Sequence, residues 1–187
     1  FPYTTLFRSP LPGGEFYHFG TGAEMVQSAM ELQNLVKDQR LIIQRGVKKQ
    51  SSVFTQNSLI PFCFAQEQEY IWVENSCLNT EWHLSRRNIV TGIPENAWSV
   101  RLAEGICIDV VPIGEKAYAL RPYGYDDAFR GRLDDASTLF MQQPFGSWME
   151  ARGMQVADFG TADDIQAARI FPVAESLDEL GYILGWM

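Results

Sequence analysis

The feature that most narrows the possible fold is an internal echo at a fixed spacing. Thr55-Gln56-Asn57-Ser58-Leu59-Ile60 returns 18 residues later as Val73-Glu74-Asn75-Ser76-Cys77-Leu78, and Ile89-Val90-Thr91-Gly92-Ile93-Pro94 returns at the same interval as Cys107-Ile108-Asp109-Val110-Val111-Pro112. Eighteen is three hexads. Stepping by six from Phe54 through Ile60, Gln66, Trp72, Leu78, Leu84, Val90, Asn96, Leu102, Ile108 and Gly114 finds apolar residues at eight of eleven positions, where a chain that is 46% apolar would give about five. A triangular left-handed parallel β-helix uses about six residues per face and about eighteen per coil, with one residue of each hexad pointing to the axis. The spacing therefore predicts a mainly β fold, with β-helix-like coils over residues 53–114 and the rings of Phe54 and Trp72 on the axis. An antiparallel sandwich with strands of similar spacing is the plainer alternative.

The flanks read differently. Residues 1–9 are similar to the in-frame translation of a sequencing adapter, so they are set apart and the natural sequence is expected to start near Pro10 with an upstream part missing. Residues 10–40 then read as a strand-helix unit. Phe16-Tyr17-His18-Phe19 is a short aromatic strand that stops at Gly20. Thr21 with Glu24 forms a capping box, and Met25, Ala29, Leu32 and Val36 make one apolar stripe on a helix ending near 37–40. Residues 41–116 hold the coils. Residues 117–187 read as a small helical cap: a turn-rich junction from Arg121 to Asp127 with extended backbone before Pro122, a helix over 145–152 stopped by Gly153, a second from Thr161 or Asp163 through Phe171, and a third opened by Ser176 and Glu179.

Composition closes off several function classes. With 187 residues the chain is long enough for a packed core, and no window holds 18 consecutive apolar residues, which rules out a transmembrane helix. Net charge −8, with 15 Lys and Arg, argues against nucleic acid as a partner. Cys63, Cys77 and Cys107 show no CxxC pair and read as buried thiols of a cytoplasmic protein. His83 suits either a solvated position or the general base of a hexapeptide-repeat acyltransferase. Arg86, Arg87, Arg121 and Arg169 suit ion pairs with carboxylates of neighbouring coils or a phosphate, with Asp163, Asp164 or another chain as the partner of Arg169. Asp126-Asp127 and Asp134-Asp135 read as turn chemistry.

A strand ending in Gly-Thr, a capped helix and then hexad coils resembles the domain junction of sugar nucleotidyltransferases. More narrowly, the stretches 16–21 and 168–173, with Asp38-Gln39-Arg40, Glu74-Asn75-Ser76-Cys77, Thr91-Gly92-Ile93-Pro94 and Arg121-Pro122-Tyr123-Gly124 between them, resemble the L-fucose-1-phosphate guanylyltransferase family. Within it, the guanylyltransferase half of the bifunctional L-fucokinase/GDP-L-fucose pyrophosphorylases looks most similar. The resemblance implies a left-handed β-helix, GTP and L-fucose 1-phosphate as substrates, Mg²⁺ as cofactor, and a nucleotide-binding domain upstream as partner. It also implies that His18, Gly20 and Thr21 line the substrate. The family's nucleotide-binding glycine loop is not in this sequence, so the chain by itself is expected to be inactive. Histidine at position 18, where many sugar nucleotidyltransferases hold an aspartate, is unsuited to a hard cation and speaks against a direct metal role. A non-catalytic β-helix assembly module and an acyltransferase are the other readings. An open coil end needs a cap or a partner, which makes a homo-oligomer an expectation too.

Overall fold

The computed structural model describes residues 17–34 and 52–187, with the side chain of Asn34 left aside. The 18-residue echo becomes a ladder of parallel strands. Strands β1 (Val53–Gln56), β2 (Ile71–Glu74), β4 (Ile89–Thr91) and β6 (Ile106–Pro112) lie side by side. Val53 pairs with Ile71 and Val90 with Ile108, each 18 residues on, whereas Trp72 pairs with Ile89, 17 on. The faces between these strands stack at the same interval: β3 (Trp82–His83) runs parallel to β5 (Val100–Arg101), and Leu59 bridges Cys77 in parallel. Strand β7 (Tyr118–Gly124) then turns back antiparallel along β6, and β10 (Val173–Ala174) adds to its far side.

The single 17-residue step changes which side chains point inward. Side chains alternate across a strand, so a one-residue error in register exchanges the faces. Val53, Ile71 and Val73 join the interior cluster with Leu78, Leu84, Val90, Leu102 and Ile108. Phe54 and Trp72, expected on the axis, sit on the outer face, their rings 5.3 Å apart. Of the apolar hexad positions, Ile60, Leu78, Leu84, Val90, Leu102 and Ile108 face the interior cluster, and Phe54 and Trp72 do not.

That outer face carries helix α1 (Gly22–Asn34). Val26 is fully buried there against Ile89, Cys107 and Tyr125, with Met25, Trp72 and Tyr123 alongside. Leu32, expected in the apolar stripe, is 39% exposed, because the docked face turns on Val26 and Ser28 instead. Tyr17, His18 and Phe19 precede the helix without forming a strand. Their neighbours 10–16, the start of the expected strand, and the expected helix end at 37–40 lie outside the described residues, as do residues 1–9.

The C-terminal region is less helical than its punctuation suggests. In the expected junction the extended part runs further than Pro122: Arg121 to Gly124 belong to β7, with Pro122 facing Ile108, and the turn falls at Tyr125 and Asp126. Residues 161–171 form turns, not a helix; Ile165 and Ile170 are buried anchors of a separate cluster with Leu133, Phe140, Phe145 and Trp148. A hairpin of β8 (Leu139–Phe140) and β9 (Gln143–Pro144) leads into α2 (Phe145–Ala151), and a 3₁₀ turn follows at Val156–Phe159. Helix α3 (Leu177–Trp186) starts as expected, Ser176 Oγ accepting from Glu179 N at 3.2 Å. It buries Leu180 and Leu184 in the coil interior, plugging that space. Among the described residues no helix is long and apolar enough to cross a membrane.

Candidate functional site

Where α1 meets the coils, a cleft of about 590 Å³ opens between the first turn of the helix and one corner of the stack. The helix side is built by the cap. Thr21 Oγ1 accepts from Glu24 N at 3.2 Å and donates to Glu24 Oε2 at 3.0 Å, so both partners of the expected capping box are present. His18 Nδ1 reaches the same carboxylate oxygen at 3.0 Å, and the His18 carbonyl accepts from Ser28 Oγ at 2.7 Å. The imidazole and the threonine hydroxyl hold the Glu24 carboxyl below the usual carboxylate range. A Cβ on Gly20 would run into the His18 ring, so the glycine leaves room for the imidazole to fold back onto Glu24.

The coil side is built by a stacked corner. Tyr70, Arg87 and Gly105 occupy equivalent places on three successive coils, all with positive φ: 57°, 59° and 76°. Arg87 N donates to Glu69 O at 2.9 Å and Gly105 N to Arg86 O at 3.0 Å, which ties each coil to the one before it. Arg86 pairs with Glu69 on the adjacent coil at 3.3 Å. Arg87 pairs with Asp126, its guanidinium 4.8 Å from the Tyr125 ring centroid. Beneath them Cys107 is buried; lack of water pushes its thiol up to about 12, and burial likewise raises the Tyr125 hydroxyl to about 12.

Of the three expected site residues, His18 lines this cleft, together with Glu24, Tyr70, Arg86, Arg87 and Glu104. Gly20 and Thr21 lie exposed beside it, and the threonine hydroxyl is committed to Glu24. The sequence flagged Arg86 and Arg87 as carboxylate or phosphate partners, and the structure gives both a carboxylate. Arg121 also finds one, Asp109, at 3.0 Å. Arg169, expected to pair with Asp163, Asp164 or another chain, is exposed just after a turn, and Asp163 lies 3.5 Å from Arg132. Asp127 serves the turn chemistry expected of it, accepting from the Gly124, Met141 and Gln142 amides. His83 is exposed. Cys63 is exposed and Cys77 half-buried, so only Cys107 matches the reading of buried thiols.

Mg²⁺ prefers several oxygen ligands in near-octahedral array. Among the described residues no three His, Cys, Asp or Glu side chains converge, and Glu24 is already shared between an imidazole and a hydroxyl. The cleft does not fit that cation.

Parallel strands stacked at 17- and 18-residue intervals, with a helix docked on one face and a mixed-charge cleft between them, define the structural class. The sequence narrows the class: residues 3–176 match the fucose pyrophosphorylase domain, and the chain belongs to that family. It is 46% identical over 179 residues to the L-fucokinase/L-fucose-1-P guanylyltransferase of Bacteroides fragilis, an alignment covering 95% of this chain and 19% of that protein. The chain thus spans about a fifth of the length of that relative. No solved structure matches.

Proposed function

We propose that this chain is part of an enzyme that makes GDP-L-fucose, an oxygen of the phosphate of L-fucose 1-phosphate attacking the α-phosphorus of GTP as pyrophosphate leaves, in a protein that also carries L-fucokinase activity. The observation that carries the reading is the 46% identity, sustained over 95% of the chain, to a relative named for both activities. In this reading the nucleotide, Mg²⁺ and the bond-making step belong to a domain upstream, and residues 53–187 supply a scaffold, an oligomer contact or part of the wall that faces the sugar. His18, Gly20 and Thr21 border the substrate, the imidazole held in place by Glu24. The coils are read as a left-handed parallel β-helix, supported by parallel pairing at 17 and 18 residues on the β1-β2-β4-β6 face and at 18 on the β3-β5 face.

The test is a comparison of two proteins. The 187-residue chain and the product of the longer gene would each be given GTP, L-fucose 1-phosphate and Mg²⁺, and GDP-L-fucose followed by mass spectrometry with pyrophosphate release alongside. The longer product is expected to turn over and the chain alone is not. Turnover by the chain alone would overturn the dependence on an upstream domain, and an inactive longer product would overturn the activity.

A further inference from the structure

The coil stack has a second corner with the same bend. Asn57, Asn75 and Gly92 take positive φ values of 44°, 49° and 71° on the same three coils. Asparagine and glycine enter the left-handed region readily, and a side-chain ladder, Asn57 Nδ2 to Asn75 Oδ1 at 2.7 Å, adds to that preference. At the corner bordering the cleft, tyrosine and arginine stand where the fold needs only asparagine or glycine. Bulky residues held in this conformation cost free energy, and such outliers cluster where a side chain is needed for binding or chemistry. Here the two strained residues line a concave opening, and Arg86 and Glu104 line it too.

The lining charges define the ligand. Two guanidiniums, from Arg86 and Arg87, face three carboxylates, from Glu24, Glu104 and Asp126. A bare anion meets more negative than positive charge in this opening. A ring carrying several hydroxyls meets complementary groups everywhere: hydroxyls donate to carboxylates and accept from guanidiniums, and the edge of Tyr70 offers an apolar surface. Arg86 is 47% exposed and holds Glu69 at 3.3 Å, a surface pair that a ligand hydroxyl can displace at small cost.

We infer that the cleft between α1 and the Tyr70–Arg87 corner is a monosaccharide-binding site, with Arg86, Arg87 and Glu104 making the hydrogen bonds to the sugar hydroxyls. The choice of L-fucose as the sugar rests on the function proposed above; the site itself rests on the corner and the cleft.

The experiment reads binding rather than turnover, so it fails or succeeds independently of the enzymatic reading. The isotopically labelled 187-residue chain is titrated with L-fucose, L-fucose 1-phosphate and inorganic phosphate, and amide shifts are followed by NMR. Both sugars are expected to give saturable shifts centred on residues 69–70, 86–87 and 104–105, and inorganic phosphate none. Arg86→Gln and Glu104→Gln, both at exposed side chains, should each weaken the sugars about tenfold while leaving the melting temperature in place. Arg87→Gly should abolish the shifts in a chain that still folds, because glycine suits the backbone there. Absent or non-saturable shifts, equal shifts from phosphate, or full affinity in the two glutamine variants would each overturn the site. If Arg87→Gly unfolds the chain, the glutamine variants decide alone.

Discussion

The two corners of the coil stack perform one backbone task with opposite residue choices. Asn57, Asn75 and Gly92 make the left-handed bend with residues that favour it, and Tyr70, Arg87 and Gly105 make it with two that do not. The Asn corner is self-sufficient: its side chains bond to one another, and Ser58 and Ser76 complete the turn, Ser76 N donating to Ser58 Oγ at 3.2 Å. The Tyr–Arg corner turns its side chains outward, to Asp126, to Tyr125 and to the floor under α1. A corner made only to hold coils together resembles the first. The second spends conformational free energy on what its side chains touch.

Three measurements press on this contrast, beginning with the largest effect. Gly92→Ala should destabilise the chain by about 3 kcal/mol, since a Cβ there meets the Val110 carbonyl of the next coil as well as an unfavourable φ of 71°. Chemical denaturation would read it; a loss no greater than that of Gly105→Ala, where the obstructing group is the movable Gln142 side chain, would mean the corners are equally tight.

Alkaline pH should probe the other corner. Cys107 and Tyr125 ionise near 9.0 and 10.0 in the unfolded chain and near 12 in the folded one. Their folded values are raised, so the stability they contribute is complete below about pH 9 and is lost as pH climbs toward 12. The slope is about 1.4 kcal/mol per pH unit for each group that ionises only on unfolding. Unfolding free energies at pH 7, 9 and 10.5 would show the decline beginning above 9. In Cys107→Ser the onset should move upward, toward the tyrosine range; an unchanged onset would place the sensitivity away from this corner.

The smallest effects set the corners against each other most directly. Asn75→Ala should cost about 1 kcal/mol, through the lost ladder bond and the poorer fit of alanine to a φ of 49°. Arg87→Gly should change stability by less than about 1 kcal/mol in either direction, because relief of the backbone offsets the lost ion pair with Asp126. Melting curves that rank the two substitutions the other way would remove the difference between the corners.

Much of this was readable from residue order, and the failures have identifiable causes. Thr21 with Glu24 and Ser176 with Glu179 announce helix starts because capping is settled within one turn of chain. The parallel stacking was readable because each coil repeats the demands of the last. Phe54 and Trp72 were misplaced because one coil is a residue short, and a period-two side-chain pattern turns that residue into an exchange of faces. The expected helix through Ala167 and Ala168 gave way to turns because Ile165 and Ile170 each find a place in the second cluster without helical spacing. Within the turn-rich junction from Arg121 to Asp127, the strand continues past Pro122 to Gly124 because β6 offers a seven-residue antiparallel partner for β7, and the turn is left to Tyr125 and Asp126.

The cleft was hardest to see. His18 was singled out through the glycine and threonine that follow it, and Arg86 and Arg87 as a charged pair, with no sign that these belong to one opening. Helix α1 and the Arg86–Arg87 corner are more than 50 residues apart in sequence. They meet because Val26 must be covered and the outer face of β2, β4 and β6 presents Trp72, Ile89 and Cys107 to cover it. The sequence alone therefore determined the family, the 18-residue spacing that pairs parallel strands and three of the helix starts, all properties of local order. The tertiary structure decided which way each strand faces, which carboxylate each arginine holds and where a ligand can sit. Those depend on apolar surfaces distant in the chain finding each other, and no local pattern encodes their pairing.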